Sequence, residues 1–170
     1  MEDIDKEAIK IAIKESMINK ENNYKKGGPF GACIVKNGEI IATAHNLVIE
    51  NNDPTAHAEI NCIRKAAKTL NTYDLTDCTL YTSTEPCPMC LSAIIWANIK
   101  EVYYCNTKDD ANEIGFRDDI IYEYLKGNKN NIIKLNHVEN KEAMKVFEEF
   151  KKIQEKNIYS SYIILLGMVL

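Results

Sequence analysis

Thr79-Leu80-Tyr81-Thr82-Ser83-Thr84-Glu85-Pro86-Cys87-Pro88-Met89-Cys90 decides how the chain is read. The β-rich run Thr79 to Ser83 predicts a strand, and Cys87 to Ala97 predicts a helix entered through two prolines. Glu101-Val102-Tyr103-Tyr104-Cys105 then predicts a second strand. Strand, helix and strand in that order imply a parallel crossover, the unit of an α/β fold.

The same stretch carries chemistry. Cys87 and Cys90, three positions apart where a loop enters a helix, can place two thiolates on one metal ion. His57-Ala58-Glu59, about 30 residues upstream, offers an imidazole, and one helix and one strand fill the interval. His57, Cys87 and Cys90 make three protein ligands. A structural zinc is closed by four, whereas a catalytic zinc keeps one position for water and lowers the pKa of that water to about 7. Glu59 stands too close to His57 to be a comfortable fourth ligand and is placed to carry protons. A Cys-x-x-Cys redox pair is the competing reading, but it requires neither the upstream His-x-Glu nor prolines on both sides of Cys87.

Working outward, residues from about Asp5 to Asn19 repeat an apolar face at helical spacing and predict an opening amphipathic helix. Ala32 to Val35 and Glu39 to Thr43 flank Asn37-Gly38, a β-hairpin signal. Thr55 to Leu70 predicts a helix with Thr55 as N-cap and His57 in its first turn. Short helices are expected at Asp109–Glu113 and Asp118–Lys126, a fifth strand at Asn130–Val138, and a charged helix from Lys141 to about Lys156. The expected architecture is a three-layer α/β/α sandwich around a five-stranded mixed sheet. One domain is expected over residues 1–156, followed by an apolar tail over residues 157–170.

Composition bounds the function. The chain of 170 residues is 45% hydrophobic and 27% charged with a net charge of -4, without the basic excess that phosphate-backbone binding favours. A small-molecule substrate is therefore expected in preference to nucleic acid. Met1-Glu2-Asp3 is acidic and is not followed by an apolar signal core, which predicts a reducing, cytoplasmic setting for the six cysteines. Cys33, Cys62, Cys78 and Cys105 fall in apolar or strand-like stretches and read as small buried hydrophobes. The apolar end from Ile158 to Leu170 is shorter than the roughly 20 residues a membrane span needs, so it reads as a packed tail or as cover against a second subunit.

His-x-Glu with Pro-Cys-x-x-Cys is the signature of zinc deaminases. Gly28-Pro29-Phe30-Gly31-Ala32, Asn46, Asp53-Pro54-Thr55-Ala56-His57-Ala58-Glu59, Pro86-Cys87-Pro88-Met89-Cys90 and Trp96 occur in an order that resembles bacterial-type guanine deaminases of the cytidine deaminase-like superfamily, from about residue 5 to residue 150. Gly115-Phe116-Arg117-Asp118-Asp119 and Tyr122 resemble the segment that distinguishes this branch. The resemblance implies guanine hydrolysis to xanthine and ammonia, zinc as cofactor, and a homodimer. It implies Glu59 and Asp118 as catalytic carboxylates and Phe30, Asn46, Ala58 and Trp96 as substrate contacts.

The chain departs from the family pattern at Arg117, which stands where the family has an acid. A cation there could pair with Asp118, or Asp119 could be the working carboxylate; the expectation is that Asp118 works and Asp119 caps a helix. Bacterial tRNA adenosine deaminases share the zinc motifs, but this chain lacks their greater basic charge. A non-catalytic, zinc-stabilised interaction subunit is a third reading, against which the intact Glu59 stands.

Overall fold

The computed structural model describes residues 2–128, 132–155 and 158–159. Their helices are α1 (Asp3–Ser16), α2 (Ala58–Leu70), α3 (Pro88–Trp96), α4 (Lys108–Glu113), α5 (Asp119–Leu125) and α6 (Lys141–Lys152). The strands are β1 (Gly31–Lys36), β2 (Glu39–His45), β3 (Cys78–Thr84) and β4 (Glu101–Asn106). The chain divides into two compact units, one ending at Tyr122 and the other beginning at Glu123.

In the first unit the strands lie in the order β2-β1-β3-β4. β1 is antiparallel to β2 and β3, while β3 and β4 run parallel, so the sheet is mixed as expected. Asn37 and Gly38 make the two-residue turn of the hairpin, with φ of 51° and 79°. The parallel pair is joined through α3, the crossover that the sequence predicts.

Both faces of the sheet are covered, and the pleat decides what each receives. On one face Ala8 and Ala12 of α1 pack on Cys33, Val35 and Tyr81. On the other, Ala58, Cys62 and Ala66 of α2 meet Ile34, Ala42, Ala44 and Leu80, with Ile94 of α3 joining them. Alanines at helical spacing let both helices lie close to the strands. The closest approach is at Gly31, where an added Cβ would collide with the Ala12 carbonyl and the Ser16 amide.

Four corrections follow from the structure. The sheet has four strands among the described residues, not five: residues 132–140 form neither strand nor helix, and Ile133, Leu135 and Val138 are exposed. β-Branched residues favour a strand only where the backbone finds a pairing partner and the side chains a surface. Helix α2 is capped by His57, not Thr55, because Asp53 Oδ1 accepts from both the Thr55 amide, at 2.8 Å, and its hydroxyl, at 2.7 Å. Cys105 is exposed, since it lies on the edge strand β4, while Cys33, Cys62 and Cys78 are buried. The last helix stops at Lys152, where Ile153 turns extended.

In the second unit, Asn140 caps α6, its Oδ1 accepting from the amides of Glu142 and Ala143. The expected terminal strand or tail lies, apart from Ile158 and Tyr159, outside the described residues. No helix among the described residues is long and apolar enough to cross a membrane.

Gly31→Ala should destabilise the fold by about 1–3 kcal/mol, the usual cost of forcing a methyl into a packed interior. Denaturant melts check this; unchanged stability would mean that the α1–β1 contact is looser than described.

Candidate active site

Two helix starts converge at one end of the sheet. His57 caps α2 in an extended conformation, φ -66° and ψ 158°. Cys87 caps α3 in nearly the same conformation, φ -64° and ψ 167°, with Pro88 as the first helical residue and Cys90 one turn along. Asn61, in the second turn of α2, fixes the approach to His57 by donating from Nδ2 to the carbonyls of His45 and Ala56, each at 3.1 Å.

The result brings three ligand atoms together. His57 Nδ1 lies 3.6 Å from Cys87 Sγ and 3.5 Å from Cys90 Sγ, and all three atoms fall within 4.8 Å of one another. Around a tetrahedral zinc, with Zn–S about 2.3 Å and Zn–N about 2.0 Å, a nitrogen and a sulfur ligand stand roughly 3.5 Å apart. The separations therefore fit such an ion, and the donor set of one imidazole and two thiolates suits zinc.

Electrostatics supports the same ligand set. The Cys87 thiol is held low, at about 4, by the hydrogen bond from Cys90 and, further, by that from His57. Cys90 is pushed upward by the same bond to Cys87 and by burial, so of the two sulfurs it is the one that keeps its proton without metal. His57 is raised by its bond to the Cys87 thiolate.

Glu59, only 6% exposed, is raised to about 7 by burial, with the Cys87 thiolate adding to the effect. A carboxyl poised near neutrality in a cleft is what general acid–base work requires. Asp118 is also raised, by burial and then by Cys87.

Phe30, His57, Glu59, Thr84, Glu85, Cys87, Ala111, Phe116 and Asp118 line one cleft. Phe30 and Phe116 meet edge to face, 4.7 Å between centroids at 84°. A Cβ on Gly28 would press on both rings, at 2.8 Å and 2.9 Å, so the glycine lets the loop approach the aromatic pair.

The other expected substrate contacts are placed differently. Asn46 is buried, its Oδ1 accepting from the amides of Gly28 and Val48, each at 3.2 Å. Asn19, 1% exposed, braces the same loop by donating from Nδ2 to the Asn46 carbonyl at 2.8 Å. Ala58 is wholly buried as the first residue of α2, and Trp96, 57% exposed, closes α3 away from the cleft lining. Arg117 pairs with Asp119 at 3.2 Å, and Asp118 is the acid that faces the cleft.

Sequence reasoning did not single out Thr84, Glu85, Ala111 or Phe116 as site residues. Glu85 had a usable signal, since it directly precedes Pro86-Cys87. Ala111 reaches the cleft only through the fold of α4.

A zinc-dependent hydrolase of the deaminase class is what this fold and site define. Residues 2–106 match the cytidine and deoxycytidylate deaminase zinc-binding region, and the chain belongs to that family. It is 49% identical over 134 residues to the guanine deaminase of Bacillus subtilis, covering 78% of this chain and 86% of that protein. The crystal structure of guanine deaminase from Bacillus subtilis superposes with a TM-score of 0.84 at 42% identity, over 94% of this chain and 99% of that one. A tRNA-specific adenosine deaminase of Aquifex aeolicus is 45% identical over 97 residues, covering 56% of this chain and 62% of that protein.

Zinc uptake should release protons and strengthen as pH rises, because the Cys90 thiol must ionise to bind. Elemental analysis should find one zinc per chain, lost in Cys90→Ala. Stoichiometric zinc in that variant, or uptake insensitive to pH, would contradict the three-ligand site.

Proposed function

We propose that this protein hydrolyses guanine to xanthine and ammonia as a soluble, cytoplasmic homodimer. The observation that supports the substrate most strongly is the likeness to Bacillus subtilis guanine deaminase, which runs through most of both chains. The cleft agrees with it: two aromatic rings border a space that also holds two raised carboxyls. Exposed Leu91, Ile95 and Trp96 on α3 support a second copy as cover for that surface.

His57, Cys87 and Cys90 would hold the zinc, which when bound would make water a competent nucleophile near neutral pH. Glu59 takes a proton from the attacking water, delivers it to the ring nitrogen next to C2 and then assists protonation of the departing amino group. Burial raises its carboxyl above the usual range, which suits a group that must both accept and return protons. Asp118, which lines the same cleft, orients the purine and takes part in proton transfer. Phe30 presents an apolar face to the ring. Asn46 holds the Gly28 loop with its oxygen and offers Nδ2 to the purine edge, while Ala58 offers backbone at the α2 start. Trp96, exposed at the end of α3, acts at the subunit contact.

Ammonia release tests the reading: free guanine should turn over at least about 100-fold faster than adenosine in tRNA is converted to inosine. Inosine formation with guanine untouched would replace this function by tRNA editing.

Glu59→Gln should retain zinc and fold but lose guanine turnover by about 10²–10⁴-fold, the usual contribution of a positioned acid–base group. Asp118→Ala should damage turnover far more than Asp119→Ala. Equal losses would shift the acid by one position.

A further inference from the structure

The segment from Lys108 to Tyr122 brings Ala111, Phe116 and Asp118 to the cleft, yet its short helices bury little of their own surface. Something must fix where Asp118 comes to rest. Phe116 rests on Phe30 and Ala111 is buried in the middle of the segment, while its two ends are tied by contacts that both pass through Lys108.

At the start of the segment, Glu85 Oε2 accepts from the Lys108 backbone amide at 3.0 Å. That amide is the first of α4 and has no partner within the helix. Thr107 caps the same helix by accepting from Asp110, which leaves the Lys108 amide to Glu85. The Glu85 amide in turn donates to the Asn106 carbonyl at 2.8 Å, so the residue is tied on both sides of the β3–β4 edge. At the end of the segment, Lys108 Nζ stands 5.1 Å from the centre of the Tyr122 ring, a cation–π contact.

Between these points the chain turns at Gly115, where the Phe116 amide donates to the Ala111 carbonyl at 3.0 Å. Asp118 follows, its carbonyl accepting from the Ile121 amide at 3.0 Å. A loop of this length is therefore drawn closed by one residue, Lys108, which is itself held by Glu85 beside the metal-binding turn.

We infer that Glu85 and Lys108 are positioning residues: together with Tyr122 they clasp residues 108–122 and set the distance of Asp118 and Phe116 from the metal ligands. Their effect rests on the guanine deaminase reading for its kinetic consequence, but the clasp itself does not. Glu85 lines the cleft and acts on the reaction through the segment it holds. A misplacement of about 1 Å in a positioning group can cost about 10²-fold in rate, so loss of the clasp should register in kinetics and in amide exchange together.

The experiment compares zinc-loaded wild type with Glu85→Ala, Glu85→Gln and Lys108→Met, reading hydrogen exchange by segment, zinc content, and kcat and KM for guanine. Glu85→Ala should speed exchange across residues 108–122 while leaving the α2 and α3 starts and the zinc content unchanged. It should lower kcat/KM by about 10- to 100-fold. Glu85→Gln keeps an acceptor and should recover most of both losses. Lys108→Met keeps the backbone amide but removes the cation, and should loosen the Tyr122 end with a smaller kinetic loss. Unchanged exchange in residues 108–122 in both Glu85→Ala and Lys108→Met would overturn the clasp, as would loss of zinc in Glu85→Ala and Glu85→Gln. Faster exchange with unaltered guanine kinetics would overturn the positioning role. Wild type inactive on guanine overturns the substrate reading instead, and the exchange pattern then decides the clasp alone.

Discussion

Two thiols, an imidazole and two carboxyls share a largely buried space, and burying that much potential negative charge is costly unless something balances it. The starts of α2 and α3 supply part of the balance, since the positive end of each helix falls at a capping ligand, His57 and Cys87. A divalent cation supplies the rest: two thiolates and a neutral imidazole around it carry no net charge. Glu59 and Asp118 are the carboxyls that remain beside it, both pushed above the usual carboxylate range by burial.

The sheet exists, for this purpose, to aim those two helix starts. Antiparallel pairing of β1 with β2 and β3 sets a broad floor, and the parallel β3–β4 step forces the crossover through α3. Crossover places the Cys87 turn at the end of β3, and α2, packed on the same face through Ala58, Cys62 and Ala66, brings His57 to meet it. Small residues at these contacts let the helix starts come within ligand distance of one metal. A buried polar layer of Asn19, Asn46 and Asn61 then fixes the loops that no helix or strand controls.

Local chemistry was legible in the sequence, and long-range closure was not. The ligand spacing, the Asn37-Gly38 hairpin and the crossover depend on residues near one another in the chain, so pattern alone carries them. Thr55 looked like a helix cap until Asp53 captured it, a competition between two equally local hydrogen bonds that spacing does not rank. The fifth strand failed because β-branched composition says nothing about whether a pairing edge is present. Cys105 was read as buried because an edge strand has the same composition as a central one. Phe116 and Ala111 join Phe30 and His57 at the cleft only after the 108–122 segment folds back, and no period in the sequence marks that return. Whether Arg117 pairs with Asp118 or Asp119 is likewise a question of backbone direction, which the start of α5 answers in favour of Asp119.

Everything here depends on a metal held by three protein ligands with one position left open. X-ray absorption at the zinc edge of the purified protein measures that directly. A site of His57, Cys87 and Cys90 should give two sulfur neighbours at about 2.3 Å, one imidazole nitrogen at about 2.0 Å and one further light atom from solvent. A third sulfur, or a second imidazole in place of solvent, would make the site closed and structural and would rule out an open catalytic zinc.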